Sequence, residues 1–147
     1  MPRQKLVWCG LLLASFSGCG ATGPDHYAVT GQVFYQGHPA VGAIVILQPE
    51  AECAQNPAFA KCGFPRAEVG QDGSFQMTTA RASDGAPPGK YIVCITWPVL
   101  APLDPERAEQ AEINPDRFQN YYNNPAAPIY KFTVDKKPSQ IPKCELP

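Results

Sequence analysis

The residues in this chain best equipped for chemistry are its six cysteines. A thiol can ligate a metal, attack as a thiolate, pair with another thiol or accept an acyl group. Metal ligation is the least expected of these for Cys53, Cys62, Cys94 and Cys144. They form no Cys-x-x-Cys pair, and the only histidines, His26 and His38, stand too far apart for zinc-ligand spacing. No charged neighbour on Ile92-Val93-Cys94-Ile95 would stabilise a thiolate. Other familiar arrangements also fall short. Residues 85–90 (GAPPGK) are one residue short of a phosphate loop, are followed by Tyr91 instead of Ser or Thr, and contain two prolines that remove amide donors. There is no Gly-x-Ser-x-Gly elbow, and Gln71-Asp72-Gly73 supplies too few acidic oxygens for calcium. Glu106, Glu109 and Glu112 read as a solvated face, and both histidines as surface residues. The expectation is a chain with no catalytic residue, no metal and no cofactor.

Cys19 is a different matter. Arg3 and Lys5 give the chain a basic start, residues 6–16 are mainly apolar, and small residues follow. That run is too short to span a bilayer, which takes about 20 residues as a helix, but it has the form of an export signal. Its end, Phe16-Ser17-Gly18-Cys19, resembles the lipobox of bacterial lipoproteins, with Phe16 where Leu is usual. The resemblance implies cleavage before Cys19 and diacylglycerol on its thiol. Two acyl chains hold a protein on a membrane where one is marginal, at ~0.8 kcal/mol per buried methylene. Residues 1–19 are thus expected to be signal and lipobox, 20–25 a tether, and 26–147 the folded part. Gly20 stands where an Asp would resemble an inner-membrane retention signal, so the outer membrane or cell surface is the expected location.

Export would put the four later cysteines in an oxidising compartment, where three disulfide connectivities are open to them. The expected pairing is Cys53 with Cys62 and Cys94 with Cys144. The first would close a short loop, contributing roughly 2–3 kcal/mol in the chain-entropy model, and the second would tie the tail to the Cys94 strand.

Composition limits the elements that can position any of these groups. The chain has 147 residues with 17 prolines and 12 glycines, which interrupt long helices but suit short strands joined by turns. Without Arg3 and Lys5 the 12 basic side chains fall to 10 against 13 acidic ones, a balance that argues against nucleic acid as a partner. From His26 onward, short alternating segments alternate with turn residues. On a first strand Val29, Gly31, Val33 and Tyr35 share one face, and residues 43–48 (AIVILQ) read as a second, buried strand. Residues 66–69 and 74–78 make a hairpin around Asp72-Gly73, with Phe75 and Met77 inward. Residues 91–97 (YIVCITW) put Tyr91, Val93, Ile95 and Trp97 on one face, and residues 129–134 and 141–146 supply late strands. Asp104-Pro105-Glu106 and Asn114-Pro115-Asp116 carry the signature of helix starts. The expected fold is an all-β sandwich of about seven strands with one or two short helices between the late strands.

Three segments taken in order, residues 29–49 (VTGQVFYQGHPAVGAIVILQP), 70–78 (GQDGSFQMT) and 86–97 (APPGKYIVCITW), resemble the carboxypeptidase regulatory-like, or transthyretin-like, domain. Residues 116–134 (DRFQNYYNNPAAPIYKFTV) extend the likeness to the small lipoproteins of planctomycete-type bacteria, which pair a lipobox with one such domain. The resemblance implies a single immunoglobulin-like sandwich over residues 26–147, with residues 50–65 as a cysteine-bearing insertion. Two enzyme families share this sandwich, but their sites do not carry over. Tyr121 and Tyr122 lack the histidines of intradiol dioxygenases, and the ending Lys143-Cys144-Glu145-Leu146-Pro147 is not the Tyr-Arg-Gly-Ser tail of hydroxyisourate hydrolases.

What remains is binding or structure. Phe118, Tyr121, Tyr122 and Tyr130 are the candidate ligand-contacting aromatics, because exposed rings stack on sugars or protein partners. The first expectation is therefore a membrane-anchored, non-catalytic binding module for an envelope protein or glycan. The second is a structural spacer or accessory subunit of an envelope assembly. Exposure of those rings separates the two.

Overall fold

The computed structural model describes residues 25–51, 54–55, 59, 62–99 and 115–147. Cys19, Cys53 and the expected helix start at Asp104 lie outside them.

Two sheets face each other across one core, so the chain is an all-β sandwich. The first sheet is built around β1 (Val29–Tyr35). Hydrogen bonds from Met77 N–H to Val29 O and from Ala40 N–H to Val33 O place β5 (Ser74–Gln76) and β2 (His38–Pro39) in succession along one edge of β1. On the other edge, Ser139 N–H to Ala28 O and Gln36 N–H to Leu146 O seat β8 (Ser139–Gln140) and β9 (Cys144–Leu146), both parallel to β1. The second sheet runs β4 (Arg66–Glu68), β3 (Ile44–Pro49), β6 (Gly89–Thr96), β7 (Tyr130–Val134), with every pairing antiparallel. Parallel neighbours need a crossover: after β1 the chain visits the second sheet, and residues 135–138 bring it back from β7 there to β8 beside β1.

The alternation expected from the sequence governs the core. Val29 and Val33 from β1, Val45 and Leu47 from β3, and Tyr91, Val93 and Ile95 from β6 are all buried. Phe75 and Met77 point inward as expected. Gly31 has a steric role: it sits opposite Phe75 in the ladder, and a Cβ there would collide with the Phe75 ring. Tyr91 takes its hydroxyl into the core and donates it to Pro87 O at 2.8 Å, so the ring buries without an unpaired O–H. The Asp72-Gly73 turn closes with Gly73 N–H to Gly70 O at 3.0 Å. The two strands of that hairpin then part, β4 to one sheet and β5 to the other, joined by paired bonds between Arg66 and Thr78.

Four expectations are corrected. The described residues form nine strands, not about seven, because β2 and β8 are two-residue pairings that no alternation marks. The expected helix beginning at Asn114-Pro115-Asp116 is a series of turns over its described residues. Gln119 N–H closes on Asp116 O at 3.0 Å, but Gln119 and Asn120 have φ of 50° and 62°, which a right-handed helix cannot contain. The Cys94–Cys144 bond is not made; both thiols are free and buried. Cys94 alternates with Tyr91, Val93 and Ile95 and so faces away from the core, whereas Cys144 faces into it from the opposite sheet. Cys62, the expected partner of Cys53, is an exposed free thiol. In the same segment Gly63 N–H donates to Phe59 O at 3.1 Å, and the Phe59 ring meets Tyr91 edge-on at 6.3 Å.

Candidate functional site

β6 is longer than its neighbour β7, which covers residues 89–93 only. Beyond that point residues 115–122 take over the edge. Ile95 N–H donates to Tyr122 O, Val99 N–H to Pro115 O and Arg117 N–H to Trp97 O, at 2.9–3.0 Å. Asp116 organises this loop: one carboxylate oxygen accepts Trp97 N–H at 2.7 Å and the other accepts Asn120 N–H at 2.9 Å. With one backbone N–H on each oxygen, Asp116 positions the loop.

The loop's aromatic residues divide sharply. Phe118 packs against Tyr35 and Trp97, with centroids 5.6 and 5.8 Å away, and Tyr122 meets Phe118 edge-on at 5.0 Å. Tyr130 from β7 stacks on Tyr122 at 6.4 Å. Trp97 donates Nε1–H to Val41 O, and the Arg117 guanidinium lies 4.4 Å from the centre of its indole. Of the four aromatics expected to contact a ligand, Phe118, Tyr122 and Tyr130 therefore belong to the margin of the core. Tyr122 is only 8% exposed. Burial, with smaller contributions from the neighbouring Tyr121 and Tyr35, raises its hydroxyl pKa, and burial does the same for Tyr130. Tyr121 alone stands out, 66% exposed and held upright against Tyr122 at 5.0 Å and 90°.

Tyr121 rims a cleft of about 450 Å³ lined otherwise by Gln119, Asn120, Asn123, Asn124, Ala127 and Ile129. Among the described residues no charged side chain lines it. Asn123 Nδ2 approaches Asn120 Oδ1 at 3.5 Å, and Asn124 Oδ1 accepts Ala126 N–H at 3.1 Å, which orients three of the amides. The Gln119 amide, Asn120 Nδ2 and Asn124 Nδ2 keep their hydrogen-bonding capacity for something outside the protein. Sequence reasoning found Tyr121 but missed these amides; the signal was present in the density of Asn and Gln around the paired tyrosines.

No family model and no curated protein matches the chain.

A second polar corner was also missed. His26 and Asp84, with side chains only 18% and 17% exposed, approach to 3.7 Å. Asp84 is committed to structure: it accepts N–H bonds from Thr79 at 2.7 Å, Arg81 at 2.9 Å and Ala80 at 3.0 Å. Burial opposes its charge, but those three bonds and nearby His26 prevail and hold the carboxyl below its usual range. His26 Nε2 is buried without a hydrogen-bond partner. The segment that resembled a phosphate loop has spent its first amides, with Gly85 N–H on Met77 O and Ala86 N–H on Tyr27 O. Burial pushes the Cys144 thiol up to about 11 and raises Cys94 as well, so both stay protonated at neutral pH. Among the described residues no group of three His, Cys, Asp or Glu converges, and no helix is long and apolar enough to cross a membrane.

Proposed function

We propose that this chain is an exported lipoprotein, held to a membrane through Cys19, that presents a non-catalytic sandwich of the carboxypeptidase regulatory-like kind as a binding module for an envelope protein or glycan. The anchor rests on the sequence order of basic start, short apolar run and Phe16-Ser17-Gly18-Cys19. The domain assignment is supported by where its three motif segments fall: the first spans β1 to β3, the second is the turn joining β4 to β5, and the third leads into β6 at the centre of its sheet. The absence of catalysis is supported by Asp84 and Asp116, the carboxylates in the two built corners, whose oxygens are taken up by backbone N–H groups.

One observation carries the binding role. A large aromatic side chain, Tyr121, is held exposed at the rim of an amide-lined cleft on a loop that is otherwise pinned to the sandwich. Binding residues characteristically sit on loops positioned by a rigid scaffold. The spacer reading has its own support, because Phe118, Tyr122 and Tyr130 serve packing, and Tyr121 is the one of the four that is mostly exposed.

The anchor is tested by feeding cells an alkyne fatty acid and blotting for the tagged chain. Label on the wild type and none on Cys19→Ser is the expected result; an unlabelled, soluble wild type would refute it. Membrane fractionation tests location, with the outer membrane expected and an inner-membrane majority contrary to it.

A further inference from the structure

We infer that the cleft beside Tyr121 binds a neutral saccharide, Tyr121 stacking on one sugar ring while the Gln119, Asn120 and Asn124 amides bond its hydroxyls. The inference rests on the binding-module reading and names its ligand class. The lining decides the chemistry. A charged ligand needs a counter-charge, but the described lining residues are three Asn, one Gln, Tyr121, Ala127 and Ile129. The charged groups among the loop's described residues are already engaged, Arg117 over Trp97 and Asp116 on two N–H groups. A purely apolar ligand would leave the oriented amides unpaired, a cost that falls on every buried donor or acceptor without a partner.

A sugar meets both features. Its vicinal hydroxyls are donors and acceptors at close spacing, which matches side-chain amides that offer N–H and C=O together. Its C–H face is weakly positive and complements the negative face of an aromatic ring. The volume of about 450 Å³ suits one or two sugar rings. The backbone is also shaped for presentation. Gln119 and Asn120 adjoin one another in the left-handed region, at 50° and 62°, and this bend carries their side chains and Tyr121 to the same rim. Asn tolerates that conformation better than most residues, while Gln119 carries strain there.

The test uses the full-length acylated protein in a sugar-free detergent, titrated calorimetrically with chitohexaose, cellohexaose, maltohexaose and, as an anionic control, pentagalacturonate. At least one neutral oligosaccharide is expected to bind. Tyr121→Ala is expected to weaken it about tenfold, the size of a stacking contact. Tyr121→Phe should retain it within about twofold, because the ring and not the hydroxyl stacks. Asn120→Ala should weaken binding about threefold or more, the loss of one hydrogen bond. Tyr121 is exposed, so an unchanged melting temperature will show that loss of binding is not loss of fold.

Three results would overturn the inference while sparing the wider reading. These are binding of pentagalacturonate alone, neutral-sugar binding unaffected by Tyr121→Ala, or no sugar binding together with photo-crosslinking of position 121 to an envelope protein in cells. No sugar binding and no crosslink would overturn both, leaving the spacer.

Discussion

The loop around Asp84 and the loop around Asp116 use the same device to opposite ends. In each, one carboxylate gathers backbone N–H groups, three for Asp84 and two for Asp116, and in each the chain passes through left-handed residues, Ser83 in one and Gln119-Asn120 in the other. The Asp84 loop turns inward. Gly85, Ala86 and Pro87 behind it are buried, and the N–H groups of Gly85 and Ala86 are taken up by Met77 O and Tyr27 O. The Asp116 loop uses Phe118 and Tyr122 as its inward anchors and leaves the amides and Tyr121 outside. A carboxylate clamp thus fixes a loop's backbone without deciding its purpose; what decides is whether the remaining polar groups find partners inside.

The largest effect should come from the inward loop's tightest point. At Gly85, with φ of 87°, a Cβ would overlap the Tyr27 carbonyl, and backbone cannot give way as a side chain can. Gly85→Ala is expected to cost on the order of 4 kcal/mol, read as a shift of the urea midpoint. A loss below about 1 kcal/mol would mean that the Tyr27–Ala86 bridge is loose. Next comes the outward loop's anchor. Tyr122→Ala should cost about 3 kcal/mol, the usual scale for removing a buried ring, and should also release Tyr121 and abolish any cleft.

Asp84 follows. Replacing it with Ala orphans three N–H groups in a half-buried corner, at about 2 kcal/mol. The pH dependence sharpens the comparison. Asp84's carboxyl is held below its usual value in the fold, so its contribution is complete above the unfolded-state value of about 3.9 and is lost as pH falls through the folded value. Denaturant midpoints measured from pH 6 down to pH 2 should therefore fall less steeply in Asp84→Asn than in the wild type. Equal slopes would remove Asp84 from the account of acid unfolding.

The same two loops mark how far the sequence could be read. Alternation and turn chemistry were legible where a strand stays in register: β1, β3, β6 and the Asp72-Gly73 hairpin lie where periodicity put them. The tail was harder. Residues 141–143 face only Gly31 and Gln32 across the ladder, so the register slips by one residue at Pro142, and a period of two cannot survive that slip. The expected Cys94–Cys144 bond failed for a reason already written in β6, since Cys94 lies between Val93 and Ile95 and must face the other way from both. The Asp84 clamp was invisible because Thr79, Ala80 and Arg81 carry no signal of whose carboxylate their amides will meet. The aromatic cluster was half legible: the residue types were evident, but adjacent Tyr121 and Tyr122 point to opposite environments, and only the turns at Gln119 and Asn120 decide which one goes in.

The smallest expected effect on stability is therefore the most informative. Tyr121→Ala removes a ring that is two-thirds exposed, and a surface truncation of this kind should change unfolding free energy by less than about 0.5 kcal/mol. Its neighbour Tyr122, of the same residue type and one position away, should cost several times more. If denaturation finds the two variants equal, the division between an inward anchor and an outward presenter collapses, and Tyr121 becomes one more packing residue of a spacer. If they differ as expected, the energy that holds Tyr121 in place comes from its neighbours, Tyr122 beneath it and Asp116 behind it. A ring held exposed by its neighbours' packing adds little to the stability of the fold, so its removal reads binding without disturbing the fold.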